Sequence, residues 1–137
     1  MKEYYNGFVF SDDKNLLQIE SVEKLLSTTY WAAKRSRSAI EKSINNSLCF
    51  GVYKDEKQIG FARCVTDYAV IYWLCDVVID ADYRGIGIGS HLVESIVNDE
   101  RLVNLRAILA SSSHQSFYLK FGFKPQNGFM FKRSIID

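Results

Sequence analysis

The chain has 137 residues, of which 47% are hydrophobic and 14% aromatic, enough for a packed core that hides about two thirds of the unfolded chain's surface. With 8 Gly and 1 Pro, the disordered, collagen-like and Pro-rich classes are excluded. The 17 Lys and Arg offset 16 Asp and Glu to a net charge of +1, scattered along the chain, so neither a nucleic acid nor an anionic membrane is predicted as a partner.

Tyr4 to Phe10 reads as a first strand, ending at Ser11-Asp12-Asp13. Ser21 is placed to cap a helix with Val22, Leu25 and Leu26 on one face and Ile19 as a staple before it. A second helix is predicted at about 39–46, where Ser38 and Glu41 have capping-box spacing and Ile40 and Ile44 share a face. Leu48–Tyr53 and Gln58–Val65 flank a polar Lys54-Asp55-Glu56-Lys57 turn, as a strand pair. Ala69–Ile79 continues this meander, and its successive apolar positions predict a central strand covered on both faces. The period then changes. Ile88, Leu92, Val93, Ile96 and Val97 recur as in an amphipathic helix that begins inside a glycine cluster. Leu105–Ala110 is a further strand, Ser113 caps a helix that stops at Gly122, and Gly128–Arg133 is a last strand. The order βααβββαβαβ predicts a mixed α/β sheet with helices on its faces. No repeat or linker divides it, so residues 1–137 are expected to form one domain.

The longest apolar run, Ala69 to Cys75, falls far short of the ~20 residues that span a bilayer. Cys49, Cys64 and Cys75 are odd in number, lack CxxC spacing and sit in strand-like segments, which suits buried thiols in a reducing compartment. The opening residues, with Glu3 and Asn6-Gly7, do not resemble a signal peptide, so a cytoplasmic location is expected.

The most specific local feature is Tyr83-Arg84-Gly85-Ile86-Gly87-Ile88-Gly89-Ser90 between the central strand and the amphipathic helix. Alternating glycines at a helix start let amide N–H groups converge on an anion, and the helix end adds to their field. The alternative is a flexible loop with a structural cap. A P-loop is excluded because the chain contains no Gly-Lys pair, and the dinucleotide fingerprint GxGxxG fails because its third position is Ser90 or Leu92.

Arg84-x-x-Gly87-x-Gly89, after a strand ending Asp76-Val77-Val78-Ile79, resembles the [QR]xxGx[GA] coenzyme A signature of the GNAT N-acetyltransferase superfamily. Phe117-Tyr118-Leu119-Lys120-Phe121-Gly122-Phe123 is similar to that superfamily's FYxKxGF helix end. The resemblance implies a mostly antiparallel central sheet with helices on both faces. It also implies acetyl-CoA as cosubstrate and acetyl transfer to a primary amine of a small molecule or peptide by direct attack. In the superfamily the central strand splays from the next one and the pantetheine arm pairs with its open edge, here Val77, Val78 and Ile79. Arg84, Gly85, Ile86, Gly87, Ile88, Gly89 and Ser90 then take the pyrophosphate. Ala81 stands where many relatives have Pro. Ser112, Ser113 and His114 stand where relatives often place an Asn or Asp against pantetheine, and Ser113 is carried over as a coenzyme contact.

Direct attack on a thioester needs no covalent enzyme intermediate. It needs a proton removed from an amine of pKa ~10.4 and an acid beside a thiolate of pKa ~8.5. Tyr118 is the acid by motif position; the alternative is a core aromatic. Asp76, in an otherwise apolar strand, is the candidate base if burial raises its pKa; the alternative is a structural carboxylate. Alternation sets Asp76 on one face with Tyr72, Leu74 and Val78. Asp67 is a second candidate but more a turn residue. Tyr30, Trp31 and Arg35, in the connection between the early helices, are candidate acceptor contacts, with helix packing as the alternative. His91, on the polar side of its helix, reads as solvated; with two histidines, three scattered cysteines and no HExxH or CxxC spacing no metal is expected, and without GxSxG a serine hydrolase is not expected either. A non-catalytic acyl-CoA sensor is the rival function, and exposed sheet edges admit a homodimer.

Overall fold

In the computed structural model, which describes residues 2–128 and 130–133, the chain forms a six-stranded sheet in the order β1-β2-β3-β4-β5-β6. The elements are β1 (Lys2–Tyr5), β2 (Phe8–Ser11), α1 (Ile19–Ser27), α2 (Arg37–Asn45), β3 (Leu48–Lys54), β4 (Lys57–Thr66), β5 (Ile71–Ile79), α3 (Ile88–Val97), β6 (Arg106–Ile108) and α4 (Gln115–Leu119). All neighbours are antiparallel except β5 and β6, which run parallel. This is the mixed α/β fold expected.

Two cores lie on opposite faces of the sheet. Ile88, Leu92, Val93 and Ile96 of α3 bury against Phe10, Phe50, Val52, Ile59 and Leu74. Val22, Leu25 and Leu26 of α1 with Ile40 and Ile44 of α2 bury against Phe61 and Val78 on the other face. The helical faces predicted from spacing are therefore the buried ones. Because β3 and most of β4 are covered on both sides, their apolar residues run on instead of alternating with polar ones, whereas burial alternates along β5 and Trp73 stays exposed.

Several boundaries differ from the sequence reading. The first strand is a hairpin: Asn6 (φ 50°) and Gly7 (φ 83°) form a two-residue loop that sets Tyr5 opposite Phe8, the left-handed pair that twisted strands favour. The cap of α1 is Gln18 and not Ser21, with no side-chain cap bond. Tertiary contact positions it instead: Gln18 N–H donates to Gln58 Oε1 (2.9 Å) and Gln58 N–H donates to Gln18 Oε1 (3.1 Å). In α2 the cap is Ser36, whose Oγ accepts from Ala39 N–H at 3.2 Å. His91 is not solvated; it stacks on Tyr5 with centroids 3.9 Å apart, lies edge-on to Phe10 and pairs with Glu3. The strand expected at 128–133 is absent among its described residues, with Phe131 91% exposed, while Phe129 lies outside the described residues. Apolar composition there signals strand propensity, but pairing depends on context.

Candidate active site

β5 and β6 pair only from Ile71–Arg106 to Trp73–Ile108. Beyond Trp73 the two strands part, and the space between them is a cavity of about 980 Å³ lined by β5 from Trp73 to Ile79, by Leu109–His114, by the α1–α2 connection and by the glycine loop. One edge of β5 is therefore without a ladder partner where the cavity begins. Of the predicted edge residues, Val77, Val78 and Ile79 all line the cavity, and the Ile79 carbonyl accepts from Arg84 Nε at 2.9 Å. That bond ties the loop back to the strand from which it leaves.

The loop meets α3 at Gly87 (φ 88°), two residues after Gly85 (φ 80°). A side chain at either position would be strained by the backbone angle alone, although a Cβ would find open space at both. The first intrahelical bond runs from His91 N–H to the Gly87 carbonyl at 3.0 Å. Among the described residues, the amide N–H groups of Gly85, Ile86, Gly87, Ile88, Gly89 and Ser90 have no protein acceptor. Six consecutive donors at the positive end of a helix form an anion cradle. Lys120 adds a cation: its Nζ donates to Ser90 Oγ at 3.2 Å and lies over the Phe117 ring. The pyrophosphate of a coenzyme A ester fits this donor set.

At the other end, an irregularity in β5 shapes the site. Arg63 stands opposite Cys75 and Phe61 opposite Val78, so β5 carries one more residue here than β4, and Asp76 takes φ 56°. This is a bulge with a left-handed residue, which Asp tolerates better than most. It overturns the predicted common face. Tyr72 and Leu74 point into the α3 core, whereas Val78 joins the α1–α2 core and Asp76 turns to the α1–α2 connection.

Asp76 is buried and fully engaged. Its Oδ1 accepts from Trp31 Nε1 (3.0 Å), and its Oδ2 accepts from Arg35 Nη1 (2.7 Å) and Arg63 Nε (2.9 Å). Burial pushes the carboxyl up, but the hydrogen bonds and charges of Arg35 and Arg63 outweigh it and hold Asp76 below its ordinary 3.8. The expected upward shift is thus reversed, because a second guanidinium from β4 joins the first. A carboxylate stabilised in this way is a weak proton acceptor.

Tyr118, on α4, lines the cavity from the opposite wall, edge-on to Phe117 and Phe123. Burial raises its phenol above the ordinary value, and its hydroxyl has no protein partner among the described residues. Ser113 does not cap α4. Its Oγ pairs with His114 Nδ1 at 2.9 Å, and Ser111 Oγ accepts from His114 N–H instead. Tyr30 reaches across the mouth, with its hydroxyl 2.7 Å from Ser112 Oγ. Asp67 lies in an exposed turn, where Oδ1 accepts from the amides of Ala69, Val70 and Ile71.

The candidate coenzyme, acceptor and catalytic residues taken from the motifs, Ile86 excepted, thus line one cavity, whereas Leu119 to Phe123 of the second motif do not. Sequence reading missed Arg63 and Lys120 as members of the site. Arg63 had a signal of its own, a lone cation in an apolar strand next to the strand that holds a lone acid.

Residues 45–125, more than half of the chain, match the family model described as an acetyltransferase (GNAT) domain. The chain belongs to the GNAT acetyltransferase family. This GNAT chain is 31% identical over 122 residues to an uncharacterised N-acetyltransferase, ycf52-like, of Prochlorococcus marinus, covering 84% of the chain and 67% of the relative. It is 29% identical over 121 residues to the uncharacterised N-acetyltransferase ycf52 of Gracilaria tenuistipitata var. liui, covering 84% of the chain and 66% of the relative. The chain spans about two thirds of the length of both. A crystal structure of a protein assigned to the GNAT family from Xanthomonas campestris pv. campestris superposes with a TM-score of 0.88 at 32% identity, over 93% of each chain. No helix among the described residues is long and apolar enough to cross a membrane.

Proposed function

We propose that this GNAT-family acetyltransferase moves the acetyl group of acetyl-CoA directly to a primary amine of a small molecule or peptide. The observation that carries this reading is the run of six unpartnered amides, Gly85 to Ser90, at the head of a cleft opened where β5 leaves β6. In this reading the amides, with Lys120 beside them, hold the pyrophosphate. The open edge at Val77–Ile79 binds the pantetheine arm, and Ser113 flanks it from the facing wall. Arg84 acts through its bond to Ile79, keeping the loop aligned with the strand.

The acceptor enters from the side of Tyr30, Trp31 and Arg35. Its nitrogen forms a bond to the thioester carbonyl carbon, and the C–S bond then breaks. Tyr118 donates its proton to the departing sulfur, a role that suits a phenol kept protonated by burial. The amine's own proton leaves through water at the cleft mouth. Asp76, ionised and held by three donors, is assigned to positioning Trp31 and Arg35 in place of base catalysis.

Titration calorimetry with acetyl-CoA, followed by thiol release across a panel of amines, tests the reading. Wild-type protein is expected to bind and turn over, and Gly87→Glu to lose at least about 100-fold in coenzyme affinity by placing a carboxylate in the cradle. Unchanged affinity in that variant refutes the cradle. Coenzyme binding without turnover of any amine would leave an acyl-CoA-binding module.

A further inference from the structure

The acceptor end of the cavity carries an unbalanced charge. Asp76 is the sole acid among the described residues that line the cavity, and it faces two guanidiniums, Arg35 and Arg63. Neither is well hydrated: their side chains are 26% and 14% exposed. Arg63 donates through Nε to Asp76 and through Nη1 to Ser47 Oγ at 3.0 Å. Arg35 donates only through Nη1, so its Nε and Nη2 have no protein acceptor among the described residues. One carboxylate against two guanidiniums leaves a charge of one positive unit in a partly dry pocket, with an Arg edge uncommitted.

We infer that the acceptor carries a carboxylate beside its amine, which docks on the free edge of Arg35. This deepens the proposed function and rests on reading the cleft as the acetyl-transfer site. A planar guanidinium presents paired N–H groups that match a carboxylate, and Asp76 already fixes the orientation of this one, so little side-chain freedom is lost on binding. The residual positive charge is matched by a single negative one. It also disfavours the protonated form of a nearby amine, so the pocket assists deprotonation without a dedicated base. Polyamines meet the opposite situation, because no acid in the lining is free to hold a second ammonium. The exposed indole of Trp31, set edge-on to Tyr30 with centroids 5.1 Å apart, offers an apolar surface beside Arg35 for the remainder of the acceptor. An amino-acid-like small molecule satisfies all three features.

The test uses the full chain, with acetyl-CoA affinity measured first. Acetyl transfer is then assayed for the free amino acids, each against its own decarboxylated amine, with glucosamine 6-phosphate against glucosamine as a phosphate arm. The expected result is a kcat/KM at least tenfold higher for the best amino acid than for its decarboxylated partner. In Arg35→Lys, which keeps the charge but loses the fork, this ratio falls to within threefold of one while coenzyme affinity and melting temperature hold. Coenzyme binding with neutral amines used equally well, with the phosphate amine preferred, or with no amino acid bound or acetylated overturns the inference alone. Absence of coenzyme binding removes the proposed function and this inference with it.

Discussion

Replacing Asp76 probes the link between the β5 bulge and the α1–α2 connection. The Asp76 side chain is 1% exposed, so Asp76→Asn leaves two largely buried guanidiniums without a counter-charge. Removing one partner of a buried pair costs about 3–5 kcal/mol, and the partial exposure of Arg35 places this case near the lower end, at about 3 kcal/mol. Asn tolerates the left-handed backbone at φ 56°, whereas Asp76→Ala adds about 1 kcal/mol of local strain. For a chain of this size the Asn variant should melt about 10 °C lower. Urea unfolding followed by tryptophan fluorescence measures the difference, with the midpoint shifted and the slope unchanged. The pH dependence supplies a second check. A carboxyl held below its ordinary 3.8 stabilises the fold above that pH, and the contribution is lost as pH falls through the lower folded value. The gap between wild type and Asp76→Asn should therefore be constant from about pH 5 to about pH 8 and shrink below about pH 4. An unchanged midpoint would show that the two guanidiniums are solvated and that Asp76 anchors nothing, and a gap that persists undiminished in acid would show that its charge is not what holds them.

Tyr118→Phe is expected to lower kcat roughly 100-fold with coenzyme affinity within about twofold, and an unaltered rate would reassign the residue to packing. Because its phenol lies above the ordinary value, deprotonation of Tyr118 should cause no fall in the wild-type rate below about pH 9, as a pH–rate profile will show. Lys120→Met removes the cation beside Ser90 and should weaken coenzyme binding about three- to tenfold, with a reduced salt dependence in the same titration. Burial pushes the Cys49 and Cys75 thiols up to about 11, and Cys64 further in the same direction. Iodoacetamide at pH 8 should leave all three unmodified in the native protein and alkylate them in urea, a difference read by mass spectrometry.

The parts of the site legible from the chain are those held by contiguous residues. Gly85 to Ser90 present unpaired amides at a helix start because glycine conformation and helix-end geometry are local properties, and Phe117 to Gly122 form a helix end for the same reason. The parts that were not legible depend on residues remote in sequence. The start of α1 is held by Gln58, forty positions away, so inspection of Ser21 could not find it. The Asn6-Gly7 turn was a local signal, but the aromatics on both sides read as one run.

Residue types and spacing by themselves determined the sheet-and-helix order around the glycine loop, the buried faces of α1, α2 and α3, and the run of open amides where that loop enters α3. Only the tertiary structure decided the chemistry of Asp76. A carboxylate in an apolar strand has its pKa raised by burial and lowered by cations, and the balance depends on what the facing strand and connection supply. Here the extra residue in β5 turns Asp76 toward Arg35 and Arg63, and two opposite charges within hydrogen-bonding distance outweigh desolvation.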